Sequence, residues 1–183
     1  CENAILHSFC DNSQLNRITR KATDVHRPDG SEIYILSDDE KKAFSLTGGL
    51  CFHRPGVTEY HTLPMGIKSR LTLCSHPEQP AGMRLITLQA ETDCNLTLTC
   101  TLHFTRNSHL LKRPGQQMIL ARNTALNGCV FVFMPNGEEI EITSSTVLLR
   151  CPISLQGHKS QSIPLYLGWA QHEEEAVCLA ASL

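Results

Sequence analysis

Two triplets, Cys51-Phe52-His53 and Cys74-Ser75-His76, each set a thiol and an imidazole two residues apart. On an extended chain positions i and i+2 share a face, so each triplet could offer both groups to one ion. Together Cys51, His53, Cys74 and His76 match the donor types and number of a tetrahedral zinc site. The tight Cys-x-x-Cys knuckle usual in structural zinc is missing, and each triplet reads more simply as a small core cysteine beside a rim histidine. No metal and no other cofactor is therefore expected.

Other reactive-looking residues lack the neighbours their chemistry needs. Ser13, Ser144 and Ser160 have no Gly-x-Ser-x-Gly context. The Gly48-Gly49 and Pro55-Gly56 turns lack the strand-to-helix setting of a phosphate loop. Asp38-Asp39-Glu40, followed by Lys41-Lys42, and the run Glu173-Glu174-Glu175 read as solvated stretches. No catalytic residue stands out, and the chain is not expected to be an enzyme. Asn95-Leu96-Thr97 is an N-glycosylation acceptor triplet. It would matter in a secreted domain, where the nine cysteines would pair and leave one over. Several cysteines fall at apolar strand positions, however, where a reduced thiol packs as a small hydrophobe.

The elements that must hold these residues are mostly strands. From Leu96 to Phe104 apolar residues alternate with Thr97, Thr99, Thr101 and His103, a period of two that sends one face inward. On this reading Leu98, Cys100 and Leu102 face a core, while Thr99 faces away and is partly solvated. Ser31–Leu36, Ser69–Leu73, Met83–Leu88, Met118–Arg122, Thr146–Cys151 and Ile163–Trp169 carry similar strand signals. Cys129–Met134 and Glu138–Thr143 flank Pro135-Asn136-Gly137, which predicts a hairpin. Helical spacing shows only near the N-terminus, where Ala4, Ile5, Leu15 and Ile18 support a short helix. The fold class is mainly β, a barrel or a sandwich. An N-terminal extension over 1–30 would precede one β domain over 31–183. At 183 residues with net charge −2 the chain has no basic footprint for nucleic acid. No apolar run reaches the roughly 20 residues of a membrane span.

The stretch "HRPGVTEYHTLPMGIKSRLTL", His53 to Leu73, carries two closely spaced backbone breakers. Its Pro55-Gly56-Val57-Thr58 and Leu63-Pro64-Met65-Gly66-Ile67 resemble turns of the deoxyuridine triphosphatase (dUTPase) fold. "NLTLTCTLHFTRNSHLLKRPGQQMILAR", Asn95 to Arg122, resembles that family's later strands. The resemblance implies a dUTPase-like β-barrel core over 31–122, with additional strands over 123–183. The family's catalytic places fall near Gln89, Thr92, Cys94 and Asn95, none of which supplies its carboxylate or its aromatic platform. Its phosphate motif has no counterpart in "SHPEQPAGMRL", and no Gly-rich arm precedes the final "CLAASL". The resemblance therefore implies a catalytically inactive viral protein, most like the herpesvirus dUTPase-related proteins. Such a protein would bind a host protein in the host cell cytoplasm or nucleus, in an immune-evasion or tegument role. The alternative is a secreted, disulfide-bonded β-sandwich that binds a receptor or a cytokine.

Overall fold

A computed structural model of the chain describes residues 26–37, 42–46, 49–104, 108–113, 117–123, 128–135, 137 and 139–183. The N-terminal helix expected from Ala4, Ile5, Leu15 and Ile18 lies outside them, as do Cys1, Cys10 and Asp38-Asp39-Glu40. The described strands are β1 (His26–Ser37), β2 (Ala43–Ser45), β3 (Leu50–Arg54), β4 (Val57–Thr62), β5 (Lys68–Ser75), β6 (Ala81–Gln89) and β7 (Cys94–Phe104). They continue with β8 (Ser108–Arg113), β9 (Met118–Asn123), β10 (Cys129–Phe133), β11 (Glu139–Thr143), β12 (Thr146–Leu155) and β13 (Ser160–Ala170), and end in helix α1 (Glu173–Ser182).

The strands form two antiparallel sheets. One runs β11-β12-β7-β1-β2 and the other β3-β4-β5-β6-β13-β10-β9-β8. Among the described residues neither closes on itself: β11 and β2 edge the first sheet, β3 and β8 the second. The mainly β class holds, but the arrangement is an open sandwich and not the closed barrel implied by the dUTPase-like reading. Strands from both ends of the chain share each sheet, with β13 seated between β6 and β10 and β12 between β11 and β7.

The period-two strand sits where its pattern directs it. β7 lies at the centre of the smaller sheet, and Leu98, Cys100 and Leu102 point from it into the core between the sheets, fully buried. Burying one such leucine stabilises the fold by about 1.5–3 kcal/mol. Thr99 departs from expectation, because it is only 1% exposed. It faces out, away from that core, flanked in register by the larger Tyr34 and Arg150. Alternation reports which face a residue occupies; the neighbouring strands decide whether water reaches it.

The larger sheet is apolar on both faces along β10, where Cys129, Val130, Phe131 and Val132 are all buried. Val130 and Val132 enter the core between the sheets. Cys129 and Phe131 join a second core, with Met118 and Leu120, beneath Ala176 and Ala180 of α1. A strand covered on both sides loses its alternation, as seen here. Gly168 of β13 stands opposite Phe131, and a Cβ there would lie 2.2 Å from the Phe131 ring. The ring thus lies over a glycine that only hydrogen can occupy.

Glu174 and Glu175 are exposed, as the solvated reading expected, but the run opens helix α1 and Glu173 is partly covered. His172 is the helix N-cap, and Glu175 closes a capping box by accepting from the N–H of His172 at 3.2 Å. Glu173 pairs with Arg113 and, at 3.2 Å, with Arg122, which ties the first turn to β8 and β9. Carboxylates in a first turn also favour the helix dipole. The hairpin expected at Pro135-Asn136-Gly137 is corrected. β10 and β11 belong to different sheets, so this turn carries the chain from one layer to the other. The Gly137 N–H donates to Met134 O at 3.0 Å within it.

Candidate interaction surface

The two backbone breakers between His53 and Leu73 shape one edge of the larger sheet. Pro55-Gly56 closes the β3–β4 hairpin, and Gly56 takes φ +76°, a left-handed value that glycine adopts without strain. Pro64–Gly66 forms a 3-10 turn between β4 and β5. Met65 sits there at φ 53°, uncommon for a residue with a side chain, which presents that side chain to solvent. Gly49 lets the start of β3 press against β4, since a Cβ there would lie 1.9 Å from His61 O.

The result is an apolar edge. Leu50 is 70% exposed, Leu63 65%, Phe52 46% and Met65 44%. Leu50 pairs in register with His61 and Phe52 with Glu59, so both lie on the outer face of β3. The Phe52 ring meets the His61 ring edge-on, with centroids 5.1 Å apart. Glu59 pairs with Arg54 at 3.6 Å beside them, and His61 Nε2 lies 3.9 Å from the same carboxylate. Exposed apolar side chains next to charged groups have the anatomy of a protein interface, with an apolar centre and a polar rim. Among the described residues β3 is also an edge strand, and unpaired backbone groups on such an edge invite another segment.

The four zinc candidates lie on this same part of the sheet but do not converge. Cys51 Sγ is 3.4 Å from His53 Nε2, and His53 Nδ1 is 3.0 Å from Thr58 Oγ1. Cys51 is in register with Tyr60, and Tyr60 with Leu71, so this pair belongs to the face of the sheet that Leu71 turns to the core. Cys74 is three residues beyond Leu71 and therefore on the opposite face, in register with Val57. His76 Nδ1 is occupied in the next turn, accepting from the N–H groups of Glu78 at 3.2 Å and Gln79 at 3.1 Å. Among the described residues no three His, Cys, Asp or Glu side chains come together as metal ligands. Asn95 is exposed, and its Oδ1 accepts from Ser154 Oγ at 2.8 Å.

Beside Met65 runs a groove of about 320 Å³, lined by Ile67, Ala90, Glu91, Thr92 and Asn95 among others. Glu91 is its one acidic side chain. The most unusual buried charge lies elsewhere. Arg84 of β6 is 5% exposed and in register with Leu73 and Leu165 on the inner face. Burial lowers its guanidinium to about 10, the nearby Cys100 opposing the shift. Cys100 is pushed up to about 12, first by burial, with Arg84 opposing and Cys151 adding. Both thus sit inside the core, out of reach of a substrate.

An eight-stranded and a five-stranded antiparallel sheet packed face to face define the sandwich class to which this protein belongs. The family model of the glycosyl hydrolase 94 supersandwich domain matches residues 2–109, more than half of the chain, and the chain belongs to that family. No curated protein matches it. Among solved structures, a bacterial glucoamylase complexed with acarbose is similar at TM-score 0.57 and 10% identity, over 88% of this chain and 29% of that one. Heparan sulfate lyase HepC from Pedobacter heparinus is similar at TM-score 0.55 and 6% identity, over 93% of this chain and 28% of the lyase. A polysaccharide lyase is similar at TM-score 0.53 and 8% identity, over 97% of this chain and 31% of that one. At such identities the likeness is one of fold. The chain spans less than a third of the length of each of these three proteins.

These findings overturn the dUTPase-like reading, and with it the viral host-binding role, the immune-evasion or tegument function and the host-protein partner. Pro-Gly and Pro-x-Gly turns between alternating strands serve any antiparallel sheet, which is why they pointed to the wrong family. The secreted, disulfide-bonded alternative is not supported: Cys51, Cys74, Cys100, Cys129 and Cys178 are free thiols. Among the described residues no helix is long and apolar enough to cross a membrane.

Proposed function

We propose that the chain is a non-catalytic sandwich domain of a carbohydrate-active enzyme, and that its β3 edge seats it against the rest of that enzyme. The observation that carries this reading is the exposed apolar edge of Leu50, Phe52, Leu63 and Met65 on a domain of this family. Side chains of that size lose roughly 1.5–3 kcal/mol each by staying in water, so a segment that exposes four of them between residues 50 and 65 favours a partner. Domain interfaces within one chain cover about 600–1,500 Å² and carry this mixture of apolar and charged groups. The single carboxylate of the groove and the ion pairing of Glu59 and Glu173 support a role without bond cleavage.

The isolated chain should not cleave glycosides. Assays on cellobiose, maltose, starch and heparan sulfate, each with and without inorganic phosphate, are expected to give no product above the buffer rate. Turnover by the purified chain that tracks its concentration would overturn the proposal.

A further inference from the structure

The outer face of the smaller sheet carries a second candidate surface, separate from the β3 edge. The cross-strand register sets Tyr34, Thr99, Arg150 and Glu139 side by side across β1, β7, β12 and β11. Directly paired residues of an antiparallel sheet share a face, so these four side chains form one row. Three inter-strand steps of about 4.8 Å give it a length of roughly 14 Å, enough for a short oligosaccharide. Its members supply what sugar recognition uses: a phenol ring, a hydroxyl, a guanidinium and a carboxylate.

One of these groups is unspent. Thr99 Oγ1 is buried and has no hydrogen-bond partner among the described residues. A buried hydroxyl left in that condition is a cost to the fold, so a ligand hydroxyl that reached it would recover that cost. Beside it in register stands Arg150, whose guanidinium reaches Glu139 at 3.3 Å and Glu141 at 3.6 Å. Those carboxylates are 67% and 55% exposed. Ion pairs so open to water hold weakly, so Arg150 can swing aside at little cost. We propose that this row binds a neutral oligosaccharide, with Tyr34 as the platform for a sugar face, Arg150, Glu139 and Glu141 engaging hydroxyls, and Thr99 accepting or donating the innermost bond. Two carboxylates against one guanidinium turn away sulfated and uronic chains, which selects the neutral class.

The test is calorimetric titration of the chain with cellotetraose, maltotetraose and a heparin tetrasaccharide. At least one neutral tetrasaccharide should bind saturably and the heparin fragment should not. Thr99→Val, which keeps the shape and deletes the hydroxyl, should weaken that binding about 3- to 10-fold, the value of one hydrogen bond. Tyr34→Ala should weaken it about tenfold or more through loss of the aromatic platform. If Tyr34→Ala does not fold, Thr99→Val decides alone. No saturable binding of either neutral sugar, tighter binding of heparin, or unchanged affinity in Thr99→Val would each overturn the proposal. None of these outcomes bears on the β3 edge, whose test is hydrogen–deuterium exchange over residues 50–66.

Discussion

Replacing Thr99 by valine should stabilise the free protein. Thr99 is 1% exposed on the central strand of the smaller sheet, with Oγ1 buried and unpartnered among the described residues. An unsatisfied buried hydroxyl costs about 1–3 kcal/mol, and valine fills nearly the same volume without it. Valine also suits a strand at least as well as threonine. Part of the gain is lost if neighbours shift around the new methyl, so the expected net gain is about 1 kcal/mol. For a domain of this size that raises the melting temperature by about 2–4 °C. On the opposite face of the same strand, Leu98→Ala should lose about 2–5 kcal/mol, because Leu98 is fully buried between the sheets. Urea denaturation followed by circular dichroism measures both. A loss of 1 kcal/mol or more in Thr99→Val would mean that the hydroxyl is paired, and would refute the reasoning.

Two further outcomes follow from the packing and the buried charges. Gly168→Ala places a methyl where the Phe131 ring already lies, and should cost about 1–3 kcal/mol from overpacking; a neutral result would show that the ring moves freely. Stability should also fall between pH 9 and 10. Cys100 ionises near 9.0 when unfolded but only at about 12 when folded, so its contribution is complete below pH 9 and is lost as pH rises toward 12. Arg84 acts the other way, but only above its folded value of about 10, where losing its charge relieves the burial penalty. Over that first unit the fall due to Cys100 should be on the order of 1 kcal/mol. Cys129, raised by burial, adds to it. Cys100→Ala should make the slope shallower, and an unaltered slope in that variant would remove Cys100 from the account.

Much of the sandwich was readable from local pattern, and what was missed depended on neighbours that local pattern does not name. β7 shows its inward face because Leu98, Cys100 and Leu102 alternate with threonines, and the structure buries those three. The burial of Thr99 was invisible because Tyr34 and Arg150 flank it from strands 65 and 51 residues away in the chain. The hairpin at Pro135 failed for a related reason. Turn chemistry states that the chain reverses, but not that β11 pairs with β12 while β10 pairs with β9 and β13. Cys51 and Cys74 looked like partners because each triplet is right on its own strand, yet an odd register offset across β4 puts them on opposite faces. Helix α1 had a signal that was passed over: three first-turn carboxylates, then Ala176 and Ala180 at a four-residue spacing that buries one side. The exposed edge at Leu50, Phe52, Leu63 and Met65 had none, because an apolar residue on a strand reads as core until the sheet ends beside it.

Hydrogen–deuterium exchange over residues 50–66, in the isolated chain and in the full-length product of its gene, tests the central claim most directly. In the isolated chain the edge of β3 and the turn at Pro64–Gly66 should exchange quickly, since one side of β3 has no strand partner among the described residues. In the full-length protein the same amides should slow by about tenfold or more, equivalent to about 1.4 kcal/mol of added protection. The outer face of the smaller sheet should stay unchanged. Equal exchange over residues 50–66 in the two proteins would contradict the account, because the apolar edge would then have no partner within the enzyme.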